Sequence, residues 1–442
     1  MKVRDFKDLA NDEGRRRVYL ESYGCTSNRF DSEVIVGLLL EEGYEICEGV
    51  GEADVVIVNT CGVKGPTENR VLHRLRKLSS FSKPLVVAGC LPLINLPAIK
   101  RAVEGKFVTL GPRSVDKVVE AVELALKRRE GSFLSINRRL IKPILPKVRL
   151  NKVVEPLQIA EGCLGSCTYC CVRFARGHLF SYPPKVIAER VRSAVKEEVK
   201  EIWLTAQDVG AYGMDIKTDL PNLLRRVCSV EGDFFIRVGM INPSHALRLG
   251  KRLINAFTHR KVFKFLHLPL QSGNNSVLKD MNREYTVEDF RRIIEDFRAE
   301  IPEITVATDI ICGFPTETWE AFEDSLTLLE DLKIDVVNVS RFFPRPGTVA
   351  AEMKQLPVKE VEERSRRISE LSRRISLERN RLWLNWEGEI LIDEKGKNGS
   401  WIGRNYAYKP VVVKDSENLL GRRLTVRIME AHPTYLEAEI CK

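Results

Sequence analysis

The sequence predicts a three-part α/β protein. A flavodoxin-like open parallel sheet is followed by a partial (β/α)6 barrel and then by a small antiparallel β-barrel. Residues 1–130 alternate short apolar runs with helical patterns, and residues 153–382 repeat that alternation through six units. The last sixty residues instead show short strands divided by Gly and Asn turns. At roughly 150 residues per domain, a chain of 442 residues accommodates this arrangement.

The first part predicts an open sheet whose carboxyl edge carries three cysteines. Strands are predicted at residues 18–22, 55–59, 85–88 and 107–110. Helices are predicted at residues 32–43, 66–79 and 114–128. Cys25, Cys61 and Cys90 each follow a predicted strand closely. Because ligands bind beyond the carboxyl ends of parallel strands, the three thiols are expected to converge there.

The central part predicts an incomplete barrel. Its strands are predicted at residues 157–160, 201–205, 234–238, 263–268, 305–311 and 336–339. Its clearest helices are predicted at residues 185–200, 287–300 and 319–332. Six units are too few to close an eight-stranded barrel, so an open side for a large substrate is expected.

A basic segment flanks the barrel on each side in sequence. The stretch from Lys127 to Lys152 holds nine Lys and Arg residues against Glu130 alone. After the barrel, residues 358–383 predict a charged helix with one apolar stripe. The net charge of +9 permits a polyanionic partner without proving one. Beyond this helix, strands are predicted at residues 389–392, 407–413, 424–429 and 435–440.

The eleven cysteines point to metal binding rather than to disulfides. No window approaches the roughly 18 apolar residues of a membrane span, and residues 1–17 lack the apolar core of a secretion signal. We therefore expect a cytoplasmic protein without a membrane association. Thiols stay reduced in that compartment, which favours metal-binding or catalytic cysteines.

The sharpest motif is a C-x3-C-x2-C loop directly after the first barrel strand, formed by Cys163, Cys167 and Cys170. Three thiolates on one short loop can bind three irons of a four-iron cluster and leave the fourth iron open. A structural zinc site is the alternative, but no second C-x2-C pair occurs in the chain. Cys171 is interpreted as a small apolar residue.

This loop resembles that of the radical S-adenosylmethionine (SAM) superfamily, and the wider motif set resembles its methylthiotransferase family over essentially the whole chain. The matching segments are residues 24–28, 59–64, 88–90, 175–177, 205–208, 267–273, 309–317 and 343–348. The resemblance implies four regions: an N-terminal methylthiotransferase domain (1–130), a basic linker (131–152), a radical SAM barrel with its basic helix (153–382) and an RNA-binding TRAM-like barrel (383–442).

The resemblance also implies two [4Fe-4S] clusters and SAM. One cluster would be bound by Cys163, Cys167 and Cys170, and an auxiliary cluster by Cys25, Cys61 and Cys90. Cofactor contacts are expected at polar residues near the carboxyl ends of the barrel strands. These candidates are Gln207, Asp208, Arg237, Gln271, Ser272 and Asp309. Asp309 serves equally well as a helix cap in this interpretation.

The implied substrate is tRNA, with a sulfur source and an external electron donor as further partners. RNA contacts are expected at Arg138, Arg139, Lys142, Lys147, Arg404, Tyr406 and Lys409. Residues 237–243, 64–68 and 175–177 resemble the archaeal and eukaryotic branch that methylthiolates N6-threonylcarbamoyladenosine beside the anticodon. Enzymes acting on isopentenyl-adenosine or on a ribosomal protein remain alternatives. A non-catalytic iron-sulfur RNA-binding protein is the alternative from another class.

Overall fold

The computed structural model describes residues 16–63 and 65–441. The expected absence of a secretion signal in residues 1–17 falls almost wholly outside the described residues, and so does Lys64 of the 59–64 motif. The first domain has strands β1 (Arg17–Ser22), β2 (Glu45–Ile46), β3 (Val55–Thr60), β4 (Leu85–Gly89), β5 (Val108–Leu110) and β6 (Gly131–Phe133). Its helices are α1 (Thr26–Glu41), α2 (Gly65–Ser79), α3 (Leu91–Ile94), α4 (Leu96–Ala102) and α5 (Val118–Leu126).

These six strands form one parallel sheet in the order β2-β1-β3-β4-β5-β6. Val71 and Leu75 of α2 and Ile99 of α4 cover one face of the sheet. Helices α1 and α5 cover the other face, whose core continues into the barrel. Residues 131–152 are predicted to be a linker, but residues 131–133 pair with β5 and form strand β6 of the first sheet.

The barrel begins with β7 (Val154–Gln158), and the cysteine loop lies between β8 and α6. Its further strands are β8 (Ala160–Glu161), β9 (Phe180–Ser181), β10 (Glu201–Thr205), β11 (Phe235–Val238), β12 (Phe265–His267), β13 (Thr305–Cys312) and β14 (Val336–Arg341). Its helices are α6 (Val172–Arg176), α7 (Pro184–Lys196), α8 (Leu220–Cys228), α9 (Pro243–Leu249), α10 (Lys251–Phe257), α11 (Asn275–Asp280), α12 (Val287–Glu300) and α13 (Trp319–Leu332).

Six parallel strands form the barrel wall as two ladders, β7-β10-β11 and β12-β13-β14. A parallel bridge between Ile236 and Val262 joins the ladders. No ladder pairs β14 with β7 in the part of the chain that the structure describes, so the wall is open there. The predicted partial (β/α)6 barrel is confirmed.

Helix α14 (Val358–Arg381) leads into the last domain. Its strands are β15 (Glu387–Lys395), β16 (Ser400–Arg404), β17 (Pro410–Lys414), β18 (Arg423–Ala431) and β19 (Leu436–Ile440). They close into a barrel in the order β15-β16-β17-β19-β18, which confirms the predicted small barrel. The pairing departs from a fully antiparallel arrangement because β17 and β19 run parallel.

The small barrel packs at the amino-terminal ends of the central strands. The Tyr408 ring lies 4.8 Å from that of Phe263 and 5.1 Å from that of Phe265, measured between centroids. Lys409 forms an ion pair with Asp335, which directly precedes β14. The cysteine loop follows the opposite, carboxyl ends of the strands, so the two features lie at opposite ends of the central barrel. No described helix is long and apolar enough to cross a membrane.

Candidate active site

Cys25, Cys61 and Cys90 follow β1, β3 and β4, which are adjacent in the sheet. The register pairs Ser22 with Asn59 and Thr60 with Gly89, so the three strands end side by side. Cys61 and Cys90 are buried, whereas Cys25 is exposed. The three loops therefore present their thiols at one edge, as the strand pattern predicts.

Close packing at this edge requires glycine directly before Cys25 and directly before Cys90, at Gly24 and Gly89. Gly24 has a φ of +115°, and a Cβ atom there would lie 2.7 Å from the Cβ of Cys61. Gly89 has a φ of +90°, and its added Cβ would lie 2.3 Å from the carbonyl oxygen of Thr60. Both positions combine a left-handed backbone with no room for a side chain, which explains the two Gly-Cys motifs.

Asn28, in the first turn of α1, ties the three loops together. Its Nδ2 donates to the carbonyl oxygens of Tyr23 at 2.8 Å and Thr60 at 2.9 Å. Its Oδ1 lies 4.0 Å from the sulfur of Cys25 and 3.8 Å from that of Cys90. A single buried amide thus fixes the relative position of two of the thiols.

Cys163, Cys167 and Cys170 are half-buried on the loop after β8. Gly162 starts the loop with a φ of +85°, and a Cβ there would lie 2.1 Å from the His178 carbonyl oxygen. Two donors point at the sulfurs. The backbone N–H of Gly165 lies 3.3 Å from Cys163 Sγ, and Nη1 of Arg283 lies 3.2 Å from Cys167 Sγ.

Burial favours the protonated form of Cys163 and of Cys90 when no metal is bound. Burial and, to a smaller extent, the Asp208 carboxylate raise the pKa of Cys163 to about 11. Burial raises the pKa of Cys90 to about 12, although the nearby Arg176 cation opposes this shift. Since metal binding requires thiolates, loading of either triad releases protons.

The donor sets fit iron-sulfur clusters better than single ions. Tetrahedral zinc would bring its thiolates to within about 4 Å of one another. In neither cysteine triad do the three sulfurs all lie within 4.8 Å of one another. Among the described residues, only Glu430, His432 and Glu437 form a group of three possible metal ligands that is this compact. A cluster spreads its cysteines over different irons and tolerates this wider spacing.

Arg283 gives a second indication of negative charge on the loop cysteines. Its Nε lies 3.0 Å from the Tyr285 hydroxyl, and its Nη2 donates to Asn242 Oδ1 at 3.2 Å. No carboxylate in the described residues forms an ion pair with this guanidinium. A cation with this environment needs an anionic partner, and thiolates that bind a cluster would supply it.

The two triads belong to one connected assembly. Arg176 is the last residue of α6. Its guanidinium donates to Asn28 Oδ1 at 2.7 Å and to Glu161 Oε1 at 2.7 Å. Gln207 accepts a hydrogen bond from the Gly162 N–H at 2.7 Å, and its Nε2 lies 3.3 Å from the Ser27 hydroxyl. These contacts link the start of α1 to both ends of the cysteine loop.

Cys171 lies in an apolar cluster with Cys90, Ile94 and Ala175, and its sulfur lies 3.7 Å from the Gly62 carbonyl oxygen. This location agrees with its interpretation as a small apolar residue. It packs between the two cysteine-bearing regions and adds apolar area to the contact between the domains.

The expected cofactor contacts divide into two groups. Ser272 is fully buried and accepts the Asn274 N–H, so the expectation of a SAM contact at its hydroxyl is wrong. Asp208 is also buried and already accepts from the backbone of Gly210 and Asn242 and contacts His245 Nδ1 at 2.7 Å. Its carboxylate therefore organises the strand end instead of reaching a ligand.

The remaining expected contacts face the barrel interior or its rim. The Arg237 guanidinium lies among the rings of Trp203, Phe265 and Tyr408 at 5.2 to 5.5 Å from their centroids. Asp309 accepts from His267 Nε2 at 2.8 Å and from Asn338 Nδ2 at 3.0 Å, which is not a helix-capping role. Gln271 is half-buried beside Asp309, with its backbone N–H on the Asp309 carbonyl oxygen. Contacts at Arg237, Gln271 and Asp309 stay predictions.

The expected RNA contacts in the linker are largely internal. Lys142 is buried against Asp31 at 2.7 Å and Glu161 at 2.9 Å, and Lys147 is buried against Glu33 and Glu155. The expectation that these two lysines contact phosphates is wrong, because both already neutralise buried carboxylates. Arg138 forms a bidentate pair with Asp116, whereas Arg139 stays exposed over the Phe180 ring.

The expected RNA contacts in the small barrel face the central barrel instead. Lys409 is buried and lies 2.9 Å from Asp335, so a phosphate contact is wrong there too. Arg404 pairs with Asp393, and the Tyr406 hydroxyl donates to Glu303. Turn residues with charge and an aromatic ring predict RNA binding from sequence alone, but in the fold they form a domain interface.

Sequence patterns did not assign a role to Asn28, Arg176, Arg283 or Arg345. Arg345 forms a buried ion pair with Glu68 of α2, so the segment after β14 is attached to the N-terminal domain. Asn28, Arg176 and Arg345 lie within the motif segments 24–28, 175–177 and 343–348, but the motifs alone gave them no role. Arg283 lies outside every motif segment.

Comparisons with known proteins cover all three parts of the chain. Residues 17–109 match the model of an uncharacterized protein family, UPF0004, and residues 157–329 match the radical SAM superfamily. Residues 387–441 match the TRAM domain. The matched regions correspond to the parallel sheet, the central barrel and the closed small barrel.

Solved structures show the same fold at low sequence identity. The radical SAM methyltransferase TsrM of Kitasatospora setae, solved with tryptophan and a SAM analogue, aligns with a TM-score of 0.54 at 15% identity over 76% of this chain and 75% of that chain. The cobalamin-dependent SAM radical enzyme OxsB aligns with a TM-score of 0.53 at 10% identity, over 83% of this chain and 57% of that one.

Sequence relatives are much closer and span nearly the full length. A probable threonylcarbamoyladenosine tRNA methylthiotransferase of Pyrococcus horikoshii is 44% identical over 96% of this chain and 99% of its own. One of Methanothermobacter thermautotrophicus is also 44% identical over the same shares. The threonylcarbamoyladenosine tRNA methylthiotransferase of Drosophila melanogaster is 38% identical over 97% of this chain and 78% of its own. The chain therefore belongs to the threonylcarbamoyladenosine tRNA methylthiotransferase family.

Proposed function

We propose that the protein converts N6-threonylcarbamoyladenosine at position 37 of tRNA into its 2-methylthio derivative. The observation that carries this proposal is the joining of two cysteine triads through Arg176, Asn28 and Gln207. Methylthiolation needs a radical at the substrate carbon and a sulfur donor near it, and two linked metal sites meet that need. The relatives' names supply the substrate class.

The cofactor assignment follows the donor sets. Membership in the radical SAM superfamily implies SAM and one [4Fe-4S] cluster, which we assign to Cys163, Cys167 and Cys170. We assign a second [4Fe-4S] cluster to Cys25, Cys61 and Cys90. When bound, the first cluster and one SAM would supply one electron and a carbon radical, a second SAM would supply the methyl group, and the second cluster would supply the sulfur.

The chain's own groups prepare these sites in three ways. Arg283 and the Gly165 N–H donate to sulfurs of the loop triad, and both hydrogen bonds strengthen when the sulfurs are thiolates bound to a cluster. Asn28 and Arg176 hold the second triad in register with the loop. The open side of the barrel wall gives a bulky nucleoside access to the interior, where we propose that Arg237, Gln271 and Asp309 contact the cofactor or the substrate.

The partners follow from this chemistry. tRNA is the substrate, an external electron donor must reduce the loop cluster, and a sulfur source must replenish the second cluster. We propose that the reaction takes place in the cytoplasm. The four-part division at residues 130, 152 and 382 remains a proposal, with the addition that β6 attaches residues 131–133 to the first sheet.

The test is mass spectrometry of nucleosides from tRNA incubated with reconstituted protein, SAM, reductant and sulfide. tRNA that bears threonylcarbamoyladenosine should gain a methylthio mass. Product on isopentenyl-adenosine tRNA or on a ribosomal protein alone would refute the substrate assignment. Absence of SAM cleavage to 5'-deoxyadenosine would refute an enzymatic role and favour a non-catalytic RNA-binding protein.

Replacement of three cysteines tests the two-cluster assignment. Cys25→Ala, Cys61→Ala and Cys90→Ala together should leave about four irons per chain and intact SAM cleavage, while methylthiolation is lost. The matched control replaces Cys47, Cys228 and Cys441, which lie outside both triads. Methylthiolation by the first variant, or its loss in the control, would contradict the assignment.

A further inference from the structure

Positive charge is concentrated in a part of the N-terminal domain where no RNA contact is predicted from the sequence. Residues 65–103 contain seven Lys and Arg side chains and one carboxylate, Glu68, and so supply a charge of +6 of the +9 of the chain. Glu68 is buried and paired with Arg345. The segment therefore has almost no acidic surface of its own.

Other basic segments are compensated by their surroundings. In the linker, Lys142, Lys147 and Arg149 each face carboxylates of α1, β7 or β8, or that of Glu197 directly after α7. On α14, Arg366 lies between Glu363 and Glu370, and Arg374 lies near Glu330 and Glu378. Charge at these places is largely neutralised before any partner arrives.

Helix α2 instead presents basic residues to solvent along its length. Val71, Leu75 and Leu78 face the sheet. Arg70, His73, Arg76 and Lys77 occupy the opposite, exposed positions. No carboxylate in the described residues forms an ion pair with Arg70, Arg76 or Lys77; Arg74 alone on this helix pairs with Glu21.

Helix α4 packs beside α2 on the same face of the sheet and extends this surface. Lys100 and Arg101 in its last turn are exposed and have no ion pair among the described residues. We define the α2–α4 basic surface by these exposed residues: Arg70, His73, Arg76, Lys77, Lys100 and Arg101. With 15 residues at about 1.5 Å each, α2 alone extends this surface over about 22 Å.

The surface starts at the edge that carries the cysteines. Helix α2 begins four residues after Cys61, and the ring of Phe343 packs so closely on Gly65 that an added Cβ would lie 2.3 Å from it. Asn95, which caps α4, donates to Glu68 at 2.7 Å. An elongated polyanion lying along α2 would therefore end beside the auxiliary triad.

We propose that the α2–α4 basic surface docks the phosphate backbone of the RNA substrate. The proposal rests on the function proposed above and specifies where the stem of the RNA lies when the modified nucleoside enters the barrel. An elongated run of unpaired cations suits the regularly charged backbone of a stem. An acidic electron-donor protein is the competing occupant, and the test separates the two.

The test compares two triple variants of the full-length protein. Arg70→Gln, Arg76→Gln and Lys77→Gln remove three charges from the surface, and all three side chains are exposed. Arg366→Gln, Arg373→Gln and Arg374→Gln remove three exposed arginines from α14 as the charge-matched control. The dissociation constant for purified tRNA bearing threonylcarbamoyladenosine is measured from about 50 to 200 mM salt, the range over which phosphate contacts weaken strongly.

The surface variant should bind tRNA at least about tenfold more weakly at low salt, and the slope of log affinity against log salt should fall by about two to three. The control should keep the wild-type slope. An unchanged slope in the surface variant, or an equal loss in the control, would overturn the proposal. Normal tRNA binding with slower reduction of the loop cluster by an acidic donor protein would also overturn it.

Binding is measured without SAM or reductant, so its outcome is independent of turnover. Wild-type protein that binds tRNA through this surface but makes no methylthio product would refute the proposed function and leave the docking site standing. If the surface variant binds tRNA as the wild type does and forms the methylthio product, the docking site is refuted and the proposed function stands.

Discussion

Replacement of Lys142 by Met should destabilise the protein strongly, although sequence alone places this lysine in an exposed linker. Its ammonium is fully buried and lies between Asp31 and Glu161, which also bind Arg176. The four side chains form a neutral group of two cations and two carboxylates. Loss of one cation leaves a buried net negative charge, and removal of one partner from a buried pair costs about 3–5 kcal/mol.

Urea denaturation of the protein without clusters measures this cost, with Arg139→Met as the matched control. Arg139 is exposed over the Phe180 ring, so its loss should stay within about 0.5 kcal/mol. Adding Asp31→Asn to Lys142→Met restores the charge balance and should recover part of the stability. A Lys142→Met change below about 1 kcal/mol, or no recovery in the double variant, would refute the electrostatic reasoning.

Three further predictions concern cluster potential and pH. Arg283→Gln should lower the midpoint potential of the loop cluster in an EPR-monitored titration by about 59 mV, equivalent to a tenfold smaller reduced fraction, whereas the exposed Lys279→Gln should not. Burial raises the pKa of Glu155, but Lys147 and Arg190 outweigh burial and leave this pKa below its usual value. The stabilisation from Glu155 is therefore present above the usual pKa and is lost as pH falls through the pKa of the folded state. Glu155→Gln should reduce this loss of stability at acid pH, measured by urea denaturation across pH. Burial and Asp393 raise the pKa of Glu201 to about 8, so stability falls as pH rises from about 4.5 to about 8, and Glu201→Gln should remove this fall in thermal melts.

The elements that follow a regular period were predictable from the sequence. Buried apolar runs located the main strands, and the cysteines beyond strand ends converge because adjacent parallel strands end together. Helix α1 was predicted six residues too late, because its first turn is polar and begins directly after Cys25. The two-residue strands β2, β8 and β9 are too short to show any period.

Charge assignments were the least predictable part because ion-pair partners are remote in sequence. Lys142 is 111 residues from Asp31, and Lys409 is 74 residues from Asp335. A local count of charges marks the linker as the most basic segment, yet its cations neutralise carboxylates that only the fold brings near. The uncompensated charge on α2 is not distinguishable from the sequence, because the helix also carries the regular apolar stripe of an ordinary surface helix.

Buried cations around the two triads differ in what balances them, and this difference bears on assembly. Arg176 and Lys142 are balanced by Asp31 and Glu161 whether or not a metal is present. Arg283 has no carboxylate partner in the described residues and contacts Cys167 Sγ. The buried charges at the contact between the domains are therefore balanced without clusters. The positive charge of Arg283 beside Cys167 is balanced only when the thiols of the loop ionise. Cluster binding should accordingly stabilise the loop and its α11 neighbour more than the domain contact, and hydrogen exchange should slow there first on reconstitution.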